Sequence, residues 1–184
     1  MSTEDGRLWI TYNGEVYNFR SLREELVAAG YNFRSRSDTE VVLNLYADRK
    51  EKCLQALRGM FAFAIWDCDR EELFLARDRL GVKPLFYAME GGRLLFASEI
   101  KAILSHPTVH PEIDHRALDD YLTYQYIPPP RTIFKGIRKL GPAEFMVWRA
   151  GKTQRQERYW SLPSDRIEGP EPELRQEVRR LLEE

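Results

Sequence analysis

The chain is 184 residues long and almost neutral, with 28 Lys and Arg against 29 Asp and Glu for a net charge of −1. With 43% hydrophobic and 12% aromatic residues, it has the material for one packed core and falls outside the disordered class. Interspersed charge gives no footing for a nucleic-acid partner, and neither a membrane-length apolar run nor a signal-peptide pattern occurs, so a cytoplasmic protein is expected.

Leu8-Trp9-Ile10-Thr11-Tyr12 predicts a strand that runs into a polar corner at Asn13-Gly14. Asn-Gly between apolar runs is first of all a turn signal. The same dipeptide also sets a side-chain amide donor beside a backbone N–H unshielded by a Cβ, and two such donors suit a developing oxyanion in acyl transfer. An amphipathic helix is predicted over 18–30, capped by Asn18, with Leu22 and Leu26 on one side and Gly30 as its stop. After a short strand from Tyr31 to Arg34, Ser37-Asp38-Thr39-Glu40 has the capping-box pattern and opens a helix through Val41, Val42, Leu45 and Tyr46. A carboxylate such as Asp38 is already accounted for there by the helix dipole.

Phe61 to Trp66 is continuously apolar, and Leu73 to Ala76 answers it across Asp67-Cys68-Asp69-Arg70, which predicts a β-hairpin buried on both faces. Arg77-Asp78 reads as an ion pair anchoring a turn. Gly81 and Pro84 bracket a corner, strands are predicted at Leu85 to Ala88 and Leu94 to Ala97, and Ser98 is placed to cap a helix over 99–104. Asp114 should cap a helix from Arg116 to Tyr124 with Leu118, Tyr121 and Leu122 on one face. Pro128-Pro129-Pro130 stiffens the next connection, and Ala143 to Trp148 reads as a strand. A linker from Pro163 to Pro172 precedes a last helix carrying Leu174, Val178 and Leu181 on one stripe.

Cys53 sits in a helical pattern as a small buried hydrophobe, and Cys68 lies between aspartates that would raise its thiol pKa. Neither is a strong nucleophile candidate. His106, His110 and His115 surround Pro107 and Pro111 without the Cys or carboxylate spacing of a familiar metal site, so no metal is expected.

Five segments occur in one order: Tyr12-Asn13-Gly14-Glu15-Val16-Tyr17-Asn18, Ser37-Asp38-Thr39-Glu40, Arg58-Gly59-Met60-Phe61-Ala62-Phe63-Ala64-Ile65-Trp66-Asp67, Ala76-Arg77-Asp78-Arg79-Leu80-Gly81-Val82-Lys83-Pro84-Leu85, and Ala97-Ser98-Glu99-Ile100-Lys101-Ala102. This series resembles the glutaminase domain of glutamine-hydrolysing asparagine synthetases, class II glutamine amidotransferases of the N-terminal-nucleophile hydrolase type. The resemblance implies an α+β fold, a four-layer αββα sandwich, incomplete at its N-terminus. It implies L-glutamine as ligand, with Asn13 and Gly14 as an oxyanion hole and Glu15 and Asp38 holding the amino-acid end. It also implies a cysteine thiolate that attacks the glutamine amide, and ammonia passed on to amidate aspartate with ATP and Mg²⁺ in a synthetase domain.

The family's Met-Cys-Gly-Ile start is not matched by Met1-Ser2-Thr3-Glu4. Residues 1–162 are therefore expected to form a partial glutaminase domain, 163–172 a linker and 173–184 the start of the synthetase domain. Without that cysteine and the ATP site the chain is expected to be inactive alone, with no cofactor of its own. Other readings stand beside this one: Ser2 as a nucleophile after removal of Met1, a non-catalytic glutamine-binding or assembly module, or a related amidotransferase with another acceptor. Strand edges left open would favour a homo-oligomer.

Overall fold

A computed structural model describes residues 1–164 and 168–183. The strands, in chain order, are β1 (Leu8–Val16), β2 (Gly59–Asp67), β3 (Glu72–Arg77), β4 (Phe86–Glu90), β5 (Arg93–Ala97), β6 (Ile137–Lys139), β7 (Glu144–Arg149) and β8 (Lys152–Arg158). The α-helices are α1 (Phe19–Ala28), α2 (Asp38–Arg49), α3 (Cys53–Ala56), α4 (Ile100–Leu104), α5 (His115–Tyr124) and α6 (Glu171–Glu183). Five strands form one antiparallel sheet in the order β1-β2-β3-β7-β8, and three form a second in the order β5-β4-β6.

Side-chain alternation along the strands builds the layers. Phe61, Phe63 and Ile65 of β2 leave one face of the large sheet and join Leu22 and Leu26 of α1 and Val41, Val42 and Leu45 of α2 in the largest core cluster. Burying each of these leucines contributes about 1.5–3 kcal/mol. Tyr46 stacks on Phe74 with ring centroids 5.0 Å apart, and Phe74 meets Phe145 at 5.6 Å, so α2 is tied to the middle of the sheet by aromatic contacts. Ala62 and Ala64 leave the opposite face and meet Leu75, Leu85, Tyr87, Leu140 and Met146 between the two sheets. A third cluster, Ala88, Ile103 and Ile137, lies between the small sheet and α4. The two sheets and their helices make the mixed α+β fold that the resemblance implies.

Several local expectations are corrected. β1 runs straight through Asn13-Gly14 to Val16, so no turn forms there. Asn18 makes no side-chain cap; its amide bridges Ala56 C=O and Arg58 N–H instead, tying α1 to the start of β2. Residues 31–34 form no strand, and α4 takes Glu99 rather than Ser98 at its cap position. Ser37 does cap α2, accepting from Thr39 N–H at 3.1 Å, but Glu40 completes no box. Its carboxylate turns to the preceding loop and accepts from Arg34 N–H, Ser35 N–H and Ser35 Oγ at 2.8, 2.7 and 2.5 Å.

Asp114 caps α5 as expected, through Arg116 N–H and Ala117 N–H. Leu118, Tyr121 and Leu122 share a stripe that is exposed, as are Val178 and Leu181 on α6. Asp165, Arg166 and Ile167 of the predicted linker, and Glu184 at the end of the predicted last helix, lie outside the described residues.

Candidate glutamine-binding edge

β1 ends the large sheet, and its outer side carries the polar chemistry. At its two ends Cys68 N–H donates to Arg7 C=O at 2.9 Å and Tyr17 N–H donates to Arg58 C=O at 2.8 Å, so the odd-numbered positions are the ones bonded to β2. Bonding positions alternate in an antiparallel pair. The N–H and C=O groups of Leu8, Ile10, Tyr12, Gly14 and Val16 therefore face away from the sheet.

The start of the chain covers part of this edge. Ile10 N–H donates to Met1 C=O at 2.8 Å, the Met1 ammonium donates back to Ile10 C=O at 3.0 Å, and Thr3 N–H donates to Leu8 C=O. Val16 N–H donates to Asp38 Oδ2 at 3.0 Å. Tyr12 and Gly14 hold the stretch between. Ser2 lies opposite Trp9, five residues from Gly14, which at ~3.3 Å per residue is roughly 16 Å away. A nucleophile at Ser2 would be out of reach of anything held at Gly14.

Gly14 is required by close approach rather than by a turn. A Cβ built on it would lie 2.3 Å from Met60 O and 2.6 Å from Phe61 Cα, both backbone atoms of β2. Gly59 answers it from the facing strand, where a Cβ would lie 2.2 Å from Glu15 O. The two glycines let β1 and β2 come together tightly at the end where the edge is open. Beside Gly14, Asn13 is exposed and helps to line a cleft of about 270 Å³ between the sheets, with Thr11, Ala62, Ala64, Pro84 and Ser98. Glu15 is exposed on the same side of the strand.

Asp38 reaches the edge from the other side. Its Oδ2 accepts from Tyr12 Oη at 2.7 Å as well as from Val16 N–H, whereas Oδ1 has, among the described residues, only Ser37 Oγ at 3.5 Å. Ser37 takes over the cap of α2, which leaves the Asp38 carboxylate for the strand. Burial, the hydrogen bond to Asp38 and the negative charges of Asp38 and Glu15 all push the Tyr12 phenol up from its ordinary value, so it remains a donor throughout the physiological range. The predicted residues thus meet along one stretch: Asn13 and Gly14 on the strand, Asp38 and Glu15 close enough to act together on Tyr12.

The far wall of the cleft is held by polar tethers. Asp78 is fully buried, and its carboxylate accepts from Leu80, Val82, Lys83 and Phe61 N–H groups. Arg77 donates to the carbonyls of Gly81, Lys83 and Leu140. The two side chains make no ion pair with each other, contrary to the sequence reading; each grips backbone, and together they fix the loop that brings Pro84 to the cleft. Burial lowers the Arg77 pKa, yet its three carbonyl partners suit a charged fork.

Neither cysteine belongs to this site. Cys53 is buried under α2 and burial pushes its thiol up to about 12. Cys68 is exposed beside Arg7, at the opposite end of β1 from Gly14.

A family model described as a glutamine amidotransferase domain matches residues 1–160. The chain belongs to that family. An asparagine synthetase [glutamine-hydrolyzing] of Bacillus subtilis is 45% identical over 166 residues, covering 85% of this chain and 26% of that protein. A second from the same organism is 39% identical over 179 residues, covering 97% and 28%. The amidotransferase chain therefore spans about a quarter of the length of these curated relatives. In three dimensions it resembles the B. subtilis glutamine phosphoribosylpyrophosphate amidotransferase, with a TM-score of 0.59 over 89% of this chain and 31% of that one, at 22% identity. At that identity the likeness concerns the fold. Sequence reasoning missed Tyr12 and Gly59: Tyr12 reads as an ordinary strand residue until α2 is placed, and Gly59 has no role of its own in the sequence until β1 lies against it.

Proposed function

We propose that this edge holds L-glutamine for hydrolysis of its side-chain amide, and that the ammonia released serves ATP-dependent amidation of aspartate in a glutamine-hydrolysing asparagine synthetase. The observation that supports it most directly is the open edge at Gly14, with an N–H facing outward, an amide side chain on the preceding residue and two carboxylates beside it. The Asn13 amide and the Gly14 N–H are neutral donors suited to the negative oxygen that forms when the glutamine amide becomes tetrahedral. Asp38 and Glu15 provide the negative field that an α-ammonium requires. ATP and Mg²⁺ enter only at the amidation of aspartate, in the synthetase part of such proteins.

On this reading the residues of the chain bind and orient glutamine and stabilise charge on its amide, while the attacking thiolate is neither Cys53 nor Cys68. Titration of ¹⁵N-labelled protein with L-glutamine tests it. The Gly14 N–H and the Asn13 side-chain amide should shift together and saturate, and L-asparagine, one methylene shorter, should move them much less. No movement at Gly14 with millimolar glutamine would remove the reading. Glutamate release assayed on the same samples separates holding the substrate from hydrolysing it.

A further inference from the structure

We propose that Tyr12 is a positioning residue for recognition of the ligand's α-ammonium, acting through Asp38; this rests on the glutamine reading above. Two donors from β1, Tyr12 Oη at 2.7 Å and Val16 N–H at 3.0 Å, converge on the same carboxylate oxygen, Oδ2. An ionised carboxylate oxygen has room for about two such partners. Oδ2 is thereby satisfied from within the protein, and rotation of the carboxylate about its Cβ–Cγ bond is stopped. Oδ1, which among the described residues has only the long 3.5 Å contact to Ser37 Oγ, is left to accept from a cation.

The choice of a phenol matters. Lysine or arginine at this position would also orient Asp38, but would cancel its charge and repel an ammonium. Tyr12 orients without neutralising, because its proton is held across the physiological range and it contributes no charge. Its ring packs against the main core, and with two rotatable bonds it loses little freedom in holding the bond. Glu15, which acts electrostatically on the same hydroxyl, adds a second negative charge beside it. Tyr12 and Val16 are four residues apart on one strand, so the geometry of this grip is set by the strand and not by a mobile loop.

The experiment compares L-glutamine with glutaramate, the same molecule without its α-amino group, by calorimetric titration of the native protein, Tyr12→Phe and Asp38→Asn. Tyr12→Phe removes one hydrogen bond to a charged group and keeps the ring, so glutamine binding should weaken roughly tenfold while glutaramate binding is unchanged. Asp38→Asn should abolish the preference for glutamine over glutaramate, and thermal unfolding checks that both variants fold. Equal weakening toward both ligands would make Tyr12 a packing residue and overturn the inference, as would unchanged glutamine binding. Failure of the native protein to bind either ligand would bring down the glutamine reading itself, and this inference with it.

Discussion

Replacing Gly14 by alanine tests whether the tight approach of β1 and β2 is what demands glycine. The added Cβ would stand 2.3 Å from Met60 O, 2.6 Å from Phe61 Cα and 2.9 Å from Phe61 Cβ, at a φ of +158°. Only one of those atoms belongs to a side chain, so the strands themselves must part. An unfavourable backbone region costs about 1–3 kcal/mol, and overpacking against neighbours that cannot yield costs about 1–3 kcal/mol more. Taking the middle of both ranges, Gly14→Ala should lose about 4 kcal/mol, or roughly 8–16 °C in Tm for a domain of this size.

Gly92→Ala is the control: φ is +76° and nothing lies within 4 Å of the added Cβ, so about 1 kcal/mol of backbone strain is the whole effect. Urea unfolding of the two variants beside the parent gives the difference directly. Gly59→Ala, whose Cβ would stand 2.2 Å from Glu15 O, should match Gly14→Ala. If Gly14→Ala unfolds within about 1 kcal/mol of Gly92→Ala, the close approach of the strands is not what selects glycine there, and the steric argument fails.

Two further outcomes are expected. Asp78→Ala strips an acceptor from four backbone N–H groups around a buried carboxylate and should cost on the order of 3–5 kcal/mol in urea unfolding, with Asp78→Asn losing less because one oxygen remains. For Glu40, burial favours the neutral acid, but the hydrogen bonds from Arg34 and Ser35 outweigh it and hold the carboxyl below its ordinary 4.5. A carboxyl lowered by folding adds stability above its unfolded value and loses it as pH falls through the folded one. Glu40→Gln should therefore cost about 1–3 kcal/mol near neutrality, and the two proteins should converge in strong acid when urea midpoints are followed down in pH. A constant gap at all pH values would show that Glu40 acts by shape alone.

Where periodicity was strong, the sequence could be read closely: the hairpin of β2 and β3, the buried faces of α1 and α2, and the Asp114 cap all sit where their patterns predict. What escaped it was set by neighbours distant in the chain. Asn13-Gly14 carries the local signal of a turn, and only its pairing with Ala62 and Phe61 of β2, far along the chain, turns it into uninterrupted strand. Asn18 looks like a cap because the residues it ties together, Ala56 and Arg58, belong to a segment placed beside it by the fold. The candidate site divides in the same way. Asn13, Gly14, Glu15 and Asp38 were legible as a motif series, whereas the bond from Tyr12 to Asp38 depends on how α2 crosses β1. No local pattern encodes that crossing.

The loop gripped by Arg77 and Asp78 has a thermal consequence. Leu80 and Val82 are 70% and 58% exposed, so the loop owes its order to a carboxylate and a guanidinium rather than to oily contacts. Apolar surface gives unfolding its positive heat-capacity change, while polar surface subtracts from it. This wall of the cleft therefore draws little on the driving force that fades on cooling, and it should keep its shape in the cold better than the sheets that flank it.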